Sequence, residues 1–183
     1  VEPQSETVWN QANRYNVPRI GFVNKMDRTG ADFYNVLGMM KERFGANPVP
    51  LNIPIGDGQT YKGVVDLIEM KAIIYNEDDG TNFDIVDIPA NMKDISDKWK
   101  SHLLEEVASS DEILMEKYLD GEEISLTELK KAIRIACISG GIVPLLCGSA
   151  FKNKGVQSLL DAVIDFLPSP LDVGSIKGFD VDD

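Results

Sequence analysis

The spacing of hydrophobic residues changes several times along the chain, and each change predicts a different element. The apolar run at residues 19–24 (RIGFVN) is typical of a buried strand, and apolar side chains then recur at helical spacing over residues 32–44, where Gly45 ends the helix. A second buried strand is predicted at residues 142–147 (IVPLLC), followed by an amphipathic helix at residues 155–167. The strand–loop–helix order occurs twice, which indicates an α/β frame.

The pattern between these two units is different and indicates a second kind of structure. Apolar residues alternate with prolines at residues 49–55, which favours an edge strand, and Ser125 and Glu128 form a capping box that begins a helix. The other predicted elements are a helix at 5–16, strands at 63–67 and 71–75, an acidic loop at 77–84, a helix at 91–118 broken near Ser109, and the end of the capped helix near Gly140. The residues of the last helix predicted to face inward are Leu159, Leu160, Val163, Ile164 and Leu167.

An antiparallel sheet with helices that interrupts an α/β frame is typical of an inserted subdomain. We therefore predict an α/β fold in which residues 1–45 and 142–173 form a frame with a parallel sheet. Residues 46–141 are predicted to form an inserted, acidic α+β subdomain, and residues 174–183 to begin a linker.

Composition excludes several classes of protein. The apolar runs are too short to span a bilayer, and the first residues lack the basic and apolar segments of a signal peptide. Cys137, Cys147 and the single histidine, His102, are too few to build a zinc site, so no metal is expected. Two unpaired thiols favour a reducing, cytoplasmic setting, and His102 is predicted to be a surface residue on an acidic helix.

The net charge of −12 is concentrated in one stretch of the chain. Residues 77–128 contain 16 Asp and Glu and four Lys, whereas the rest of the chain is balanced. A segment this acidic repels phosphate backbones, so no direct contact with nucleic acid is expected. Two interpretations remain open, namely a solvated acidic helical face and a docking surface for a basic protein.

The candidate chemistry lies where the two predicted frame strands end. Asn24, Lys25 and Asp27 (within NKMD) follow the first strand, and Ser149 and Ala150 (within GSA) follow the second. Ligands in open α/β sheets bind at the carboxyl ends of the strands, so both loops lie on the expected edge.

These residue types suit a guanine base. One ionised carboxylate, that of Asp27, can accept the N1–H and the exocyclic amino group of guanine together, whereas adenine lacks that amino group. Asn24 can reach N7 and brace the facing loop, and the stem of Lys25 can lie over the base. The N–H of Ala150 can donate to O6, and the small Ser149 leaves room for the base.

The alternative for Asp27 is a turn residue before the next helix. Lys152 and Lys154 are either phosphate contacts or solvated loop lysines.

Three stretches of the chain resemble a known family. They are QSETVWNQANRYNVPRIGFVNKMDRTGADF, MEKYLDGEEI and CGSAFKNKGVQSLLDAVIDFLPSP, and they are similar to bacterial elongation factor G, the GTPase that drives translocation on the ribosome. The similarity runs from Val1 to about Val173. It implies a P-loop-GTPase-type sheet, GTP or GDP as the nucleotide, and NKMD and GSA as the guanine pocket. The insert would correspond to the G-prime subdomain, which in the family contacts the stalk protein of the large ribosomal subunit.

The sequence also departs from that family. No phosphate-binding sequence GxxxxGK[ST] occurs in the 183 residues. The resemblance places that loop, the magnesium-binding threonine, the switch regions and the catalytic histidine before Val1. We therefore expect a fragment, the C-terminal half of the nucleotide domain plus its insert, that hydrolyses no GTP and binds no nucleotide tightly by itself. The strand at residues 19–24 would lack its usual neighbour, and its open edge predicts self-association.

Two alternatives remain open at this point. Ribosome-protection proteins and the GTPase release factor share the NKxD motif, so the chain could be a fragment of either. It could instead be an autonomous acidic protein-binding module that retains a vestigial guanine pocket.

Overall fold

The computed structural model describes residues 3–172, and these form seven strands and six α-helices. The strands are β1 (Gly21–Val23), β2 (Pro48–Pro50), β3 (Asn52–Ile55), β4 (Gly63–Asp66), β5 (Lys71–Tyr75), β6 (Phe83–Val86) and β7 (Val143–Cys147). The helices are α1 (Pro3–Arg14), α2 (Phe33–Phe44), α3 (Lys93–Ala108), α4 (Glu112–Asp120), α5 (Leu126–Ile138) and α6 (Val156–Phe166). The linker predicted at residues 174–183 lies outside the described residues. No helix among residues 3–172 is both long and apolar enough to cross a bilayer.

The strands form two sheets of different type. The first is parallel, with the order β1-β7-β2, and the second is antiparallel, with the order β3-β4-β5-β6. This arrangement confirms the predicted α/β class, with a parallel sheet and a separate antiparallel sheet. Within the described residues β1 pairs only with β7, so its outer edge is open. Self-association through that edge stays a prediction.

Helix α2 shows how local sequence determines one of these elements. The Asp32 carboxylate accepts a hydrogen bond from the Asn35 N–H at 2.9 Å and caps the first turn. Gly45 ends the helix in the left-handed conformation, with φ of 57°. Phe33 and Leu37, at helical spacing, are buried on the face toward the core. The helix predicted at residues 32–44 is confirmed.

The segment predicted as one edge strand is two strands that belong to different sheets. The chain passes from β2 to β3 at Leu51, whose N–H donates to Leu145 O at 2.8 Å and whose carbonyl accepts from the Leu67 N–H at 2.9 Å. Both strands are sheet edges, which is where strand prolines are tolerated. The chain therefore leaves the parallel sheet five residues after the predicted start of the insert at residue 46.

The two sheets share one hydrophobic core. Buried residues of the parallel sheet, such as Val49 and Leu145, belong to the same cluster as Val65 of the antiparallel sheet. The Cys147 N–H donates to the buried Asn52 Oδ1 at 2.9 Å and joins the two sheets directly. We infer that the antiparallel sheet is stabilised by the frame on which it packs.

Three local predictions are wrong. The predicted acidic loop at residues 77–84 extends too far, because Phe83 and Asp84 are the first two residues of β6. All four residues of β6 are exposed, so the strand has no alternation of apolar and polar positions that would have predicted it. His102 is half-buried against the Trp99 ring, with a centroid separation of 5.4 Å, instead of lying on the surface. Helix α6 is apolar on more than one side, and its packing selects Ala162 and Phe166 as the buried face. Of the residues predicted to face inward, those exposed are Leu160, Val163 and Ile164.

The two thiols are buried and unreactive. Cys137 and Cys147 are free and buried. Burial raises the pKa of Cys137 to about 11, and it also raises the pKa of Cys147. Both sulfurs are therefore protonated at neutral pH, which makes them poor nucleophiles.

The capping box of α5 gives a pH-dependent prediction. Three hydrogen bonds to its carboxylate hold the pKa of Glu128 at about 2, below its ordinary 4.5. The largest contribution comes from the Lys117 ammonium, and smaller ones come from the hydroxyl and the N–H of Ser125. Because the pKa is lower in the folded state, this stabilisation is present above pH 4.5 and is lost as the pH falls towards 2. We expect Glu128→Gln to destabilise the protein at neutral pH and to have progressively less effect below pH 4.5.

Urea denaturation of both proteins between neutral pH and about pH 2.5 measures this difference. Glu123→Gln removes an exposed carboxylate from the same region and serves as the control. A stability difference for Glu128→Gln that does not change with pH would contradict the assignment.

Candidate functional site

The loops that follow β1 and β7 lie side by side because the two strands are parallel neighbours, with Val23 in register with Cys147. The Gly148 N–H donates to Val23 O at 3.0 Å, and the Met26 N–H donates to Gly148 O at 3.0 Å. A Cβ at Gly148 would lie 2.3 Å from Lys154 O, so only glycine fits at this crossing. The five site residues predicted from sequence lie in these two adjoining loops.

Asn24 joins the two loops. Its side-chain Oδ1 accepts from the Lys25 N–H at 2.8 Å and from the Ala150 N–H at 2.9 Å. The second of these bonds spans the gap between NKMD and GSA, as expected for a bracing asparagine. It also occupies the donor that the sequence analysis assigned to guanine O6, so Ala150 would have to share its N–H between Asn24 and a base.

Asp27 is held as a carboxylate. A hydrogen bond from the Ser149 hydroxyl is the main cause that lowers the pKa of Asp27, and the positive charges of Lys152 and Arg28 add to the effect, while partial burial opposes it. Ser149 is itself buried. From the sequence alone Ser149 is expected only to leave room for the base, and its effect on Asp27 is not predicted. The pairing of a hydroxyl with a carboxylate on facing loops was the available signal.

The backbone of both loops is strained at one residue each. Lys25 has φ of 65° and Asn153 has φ of 51°, the left-handed region that side chains other than glycine rarely adopt. Such a conformation costs about 1–3 kcal/mol and persists where the surrounding structure determines it. Lys25 belongs to the loop after β1 and Asn153 to the loop after β7, as is common for strained residues at binding sites.

The second loop is closed on itself. Ser149 and Lys154 exchange two backbone hydrogen bonds, at 2.9 and 3.0 Å, and the Asn153 N–H donates to Ala150 O at 3.1 Å. Lys154 is buried, so it is not a solvated loop lysine. The ammonium groups of Lys152 and Lys154 lie 3.5 and 3.8 Å from the same carboxylate oxygen, that of Asp78 in the turn between β5 and β6.

This arrangement is suited to binding a planar base with donors on one edge. It presents an ionised acceptor at Asp27, a side-chain amide at Asn24 and backbone groups of a closed loop. Among residues 3–172 no group of three or more His, Cys, Asp and Glu side chains is placed to hold a metal ion.

Comparison with known proteins places the chain in a family. Residues 1–169 match the family model described as the elongation factor Tu GTP binding domain. The chain belongs to this family of GTP-binding domains of translational GTPases. Guanine-nucleotide binding is therefore a property of the family to which this chain belongs.

A solved structure is similar in fold. The fold is similar to that of a protein from Thermus thermophilus determined by crystallography, with a TM-score of 0.83 and 30% sequence identity. The match covers 94% of this chain and 25% of the Thermus chain. The chain thus spans a quarter of the length of the protein it matches.

Proposed function

We propose that the chain is the base-recognising part of an elongation-factor-G-type translational GTPase that acts on the ribosome in the cytoplasm. The whole protein would couple GTP hydrolysis to the movement of tRNA and mRNA. The observation that carries this proposal is the hydrogen bond from the Ala150 N–H to Asn24 Oδ1, because it assembles NKMD and GSA into one site beside the ionised Asp27.

The proposed base contacts follow from that geometry. The Asp27 carboxylate accepts from N1–H and the exocyclic amino group of guanine, which adenine cannot offer together. The Asn24 amide nitrogen donates to N7, since its oxygen is occupied by Lys25 and Ala150. The Lys25 stem covers one face of the base. The Ala150 N–H reaches O6 as a bond shared with Asn24.

The affinity of the chain by itself is expected to be low. No GxxxxGK[ST] sequence is present in the 183 residues, and phosphate contacts supply much of the affinity for a nucleotide. A base held only by a carboxylate, an amide and a backbone N–H should bind no tighter than about millimolar. Calorimetric titration with GDP should give little heat, and incubation with GTP should release no phosphate. Micromolar binding or hydrolysis would contradict the proposed division of the nucleotide site.

We also propose that residues 46–141 are the ribosome-facing insert and that α4 docks the basic stalk protein of the large subunit. The exposed side of α4 carries Glu112, Glu116 and Asp120, and the apolar Ile113 and Leu119 are 71% and 74% exposed beside them. Acidic groups around exposed apolar side chains suit a basic partner better than they suit a purely solvated face.

Not every acidic residue of this region is free for a partner. Glu106 accepts from the Asn47 side-chain amide at 2.6 Å, and Asp111 caps α4 by accepting from the N–H groups of Ile113 and Leu114. Replacing these two would disturb the fold. A test of docking should therefore use only the exposed acidic residues of α4.

Reversing those charges should weaken binding of the stalk protein. The variant Glu112→Lys, Glu116→Lys, Asp120→Lys is expected to lose about tenfold or more in affinity at low salt and less at high salt, because opposite charges are screened. The control reverses Glu42, Glu69 and Asp161, three exposed acidic residues on other surfaces. Binding that responds equally to both sets, or to neither, would favour the solvated-face interpretation.

A further inference from the structure

The turn between β5 and β6 of the antiparallel sheet packs on the loop that carries Ser149 and Ala150. We call residues 77–80 the insert turn and residues 148–154 the GSA loop. Gly80 is buried in the insert turn although the three residues before it are exposed. A Cβ at Gly80 would lie 2.4 Å from Lys152 O and 2.7 Å from Asn153 O, so the two backbones are in direct contact.

A second contact holds the end of the GSA loop. Tyr75, the last residue of β5, is buried, and its hydroxyl accepts from the Gly155 N–H at 2.6 Å. The same hydroxyl lies 3.4 Å from Gln157 Oε1, to which it can donate. Gly155 is the N-cap of α6, with φ of 83°. Tyr75 therefore fixes the point at which the GSA loop enters the helix.

The ion pairs between the same two segments are the weaker contribution. The Asp78 side chain is 92% exposed, and its oxygen lies 3.5 and 3.8 Å from the ammonium groups of Lys152 and Lys154. Exposed pairs with such distances contribute little to stability. The buried hydroxyl of Tyr75 and the backbone packing of Gly80 are thus the contacts that position the loop.

The GSA loop is held from both sides. On one side the Ala150 N–H donates to Asn24. On the other side residues 152–155 contact Gly80 of the insert turn and Tyr75 of β5. Because Ser149 and Lys154 are joined by two backbone hydrogen bonds, a displacement at residue 154 is transmitted to Ser149. The Ser149 hydroxyl in turn lowers the pKa of Asp27, the acceptor proposed for guanine.

We propose that Tyr75 and Gly80 are positioning residues through which the antiparallel sheet sets the placement of Ser149 and Ala150 against Asp27, and thereby the affinity for guanine. This inference rests on the proposed function of the two loops. It makes the insert a determinant of nucleotide binding in addition to a surface for a partner.

Two substitutions with matched controls test the proposal. Gly80→Ala is compared with Gly121→Ala, because Gly121 has a similar φ, 69° against 65°, but no atom within 4 Å of its Cβ position. Tyr75→Phe is compared with Tyr61→Phe, because the Tyr61 hydroxyl is buried without a hydrogen-bond partner among the described residues. Each pair shares the chemical change, and only Gly80 and Tyr75 contact residues 152–155.

The first readout is amide hydrogen exchange in the unmodified and variant 183-residue chains. Gly80→Ala and Tyr75→Phe should speed exchange at residues 149–155 by about tenfold or more relative to their controls, as expected for loss of a buried bond. Exchange in α2 serves as the internal reference, because a purely global loss of stability would affect both regions.

The second readout is the dissociation constant for GDP, taken from the chemical shifts of the Ser149 and Ala150 amides. Since these signals come from the folded protein, a loss of global stability alone leaves the constant unchanged. It should rise about threefold or more in Gly80→Ala and Tyr75→Phe and stay constant in both controls.

The outcomes separate the positioning role of Tyr75 and Gly80 from guanine recognition by the two loops. Equal exchange and equal GDP affinity in variants and controls would overturn the positioning role and leave guanine recognition standing. Absence of any GDP-dependent shift at Ser149 and Ala150 in the unmodified chain would refute guanine recognition, and the exchange rates alone would then decide whether the insert positions the loop.

Discussion

Asp27→Asn should turn a preference for guanine into a preference for xanthine. The Asp27 carboxylate is ionised at neutral pH, and the Ser149 hydroxyl lowers its pKa further; it is proposed to accept both donors on the guanine edge. An asparagine offers one acceptor and one donor, so it pairs with the 2-oxo group of xanthine and repels the 2-amino group of guanine. Loss of two charge-assisted bonds should reduce guanine affinity about 100-fold.

The readout is clearest in a protein in which this segment is joined to a phosphate-binding loop, because phosphate contacts keep the binding of both bases measurable. Competition between GDP and xanthosine diphosphate gives the preference directly. Asp161→Asn, an exposed carboxylate on α6, is the control. An unchanged preference for GDP in Asp27→Asn would mean that Asp27 is a turn residue and not a base contact.

Gly63→Ala should be among the most destabilising single substitutions. Gly63 pairs with Ile74 in the antiparallel sheet, and a Cβ there would lie 1.9 Å from the carbonyl oxygen of Ile73. No change of rotamer relieves a clash between a Cβ and a backbone oxygen, so β4 and β5 would have to separate. We expect a loss of about 3 kcal/mol or more in the free energy of unfolding.

Gly38→Ala is the matched control and should have the opposite effect. Gly38 lies within α2, and a Cβ there would meet no atom within 4 Å. Alanine in a helix interior is more favourable than glycine by about 0.5–1 kcal/mol. Urea denaturation measures both variants. Because the two sheets share one core, Gly63→Ala should lower the stability of the whole chain in a single transition, and separate transitions would contradict that unity.

The sequence was sufficient for features that depend on neighbouring residues. The end of α2 at Gly45 and the capping box of α5 were predicted from residue type and spacing alone. The meeting of the NKMD and GSA loops was also predictable, because parallel neighbouring strands bring their carboxyl ends together.

Features that depend on distant segments were not predictable. The crossing between sheets at Leu51 requires hydrogen bonds to Leu145 and Leu67, neither of which leaves a local pattern. The rotation of α6 was missed because apolar residues occur on several sides and only packing selects the buried one. The contact of Gly80 with the GSA loop joins segments far apart in the chain, and its only sequence trace is a glycine in a polar turn.

The location at which a guanine base binds tests the proposed role of the NKMD and GSA loops most directly. Titration of the isotope-labelled 183-residue chain with GDP, followed by amide chemical shifts, tests this without requiring tight binding. Guanine recognition by these loops predicts shifts centred on Asp27, Ser149 and Ala150 that titrate with a dissociation constant of about millimolar or weaker for GDP, and smaller or no shifts with ADP. Shifts of equal size with ADP, or shifts that lie elsewhere in the chain, would contradict the assignment of these loops as the guanine site.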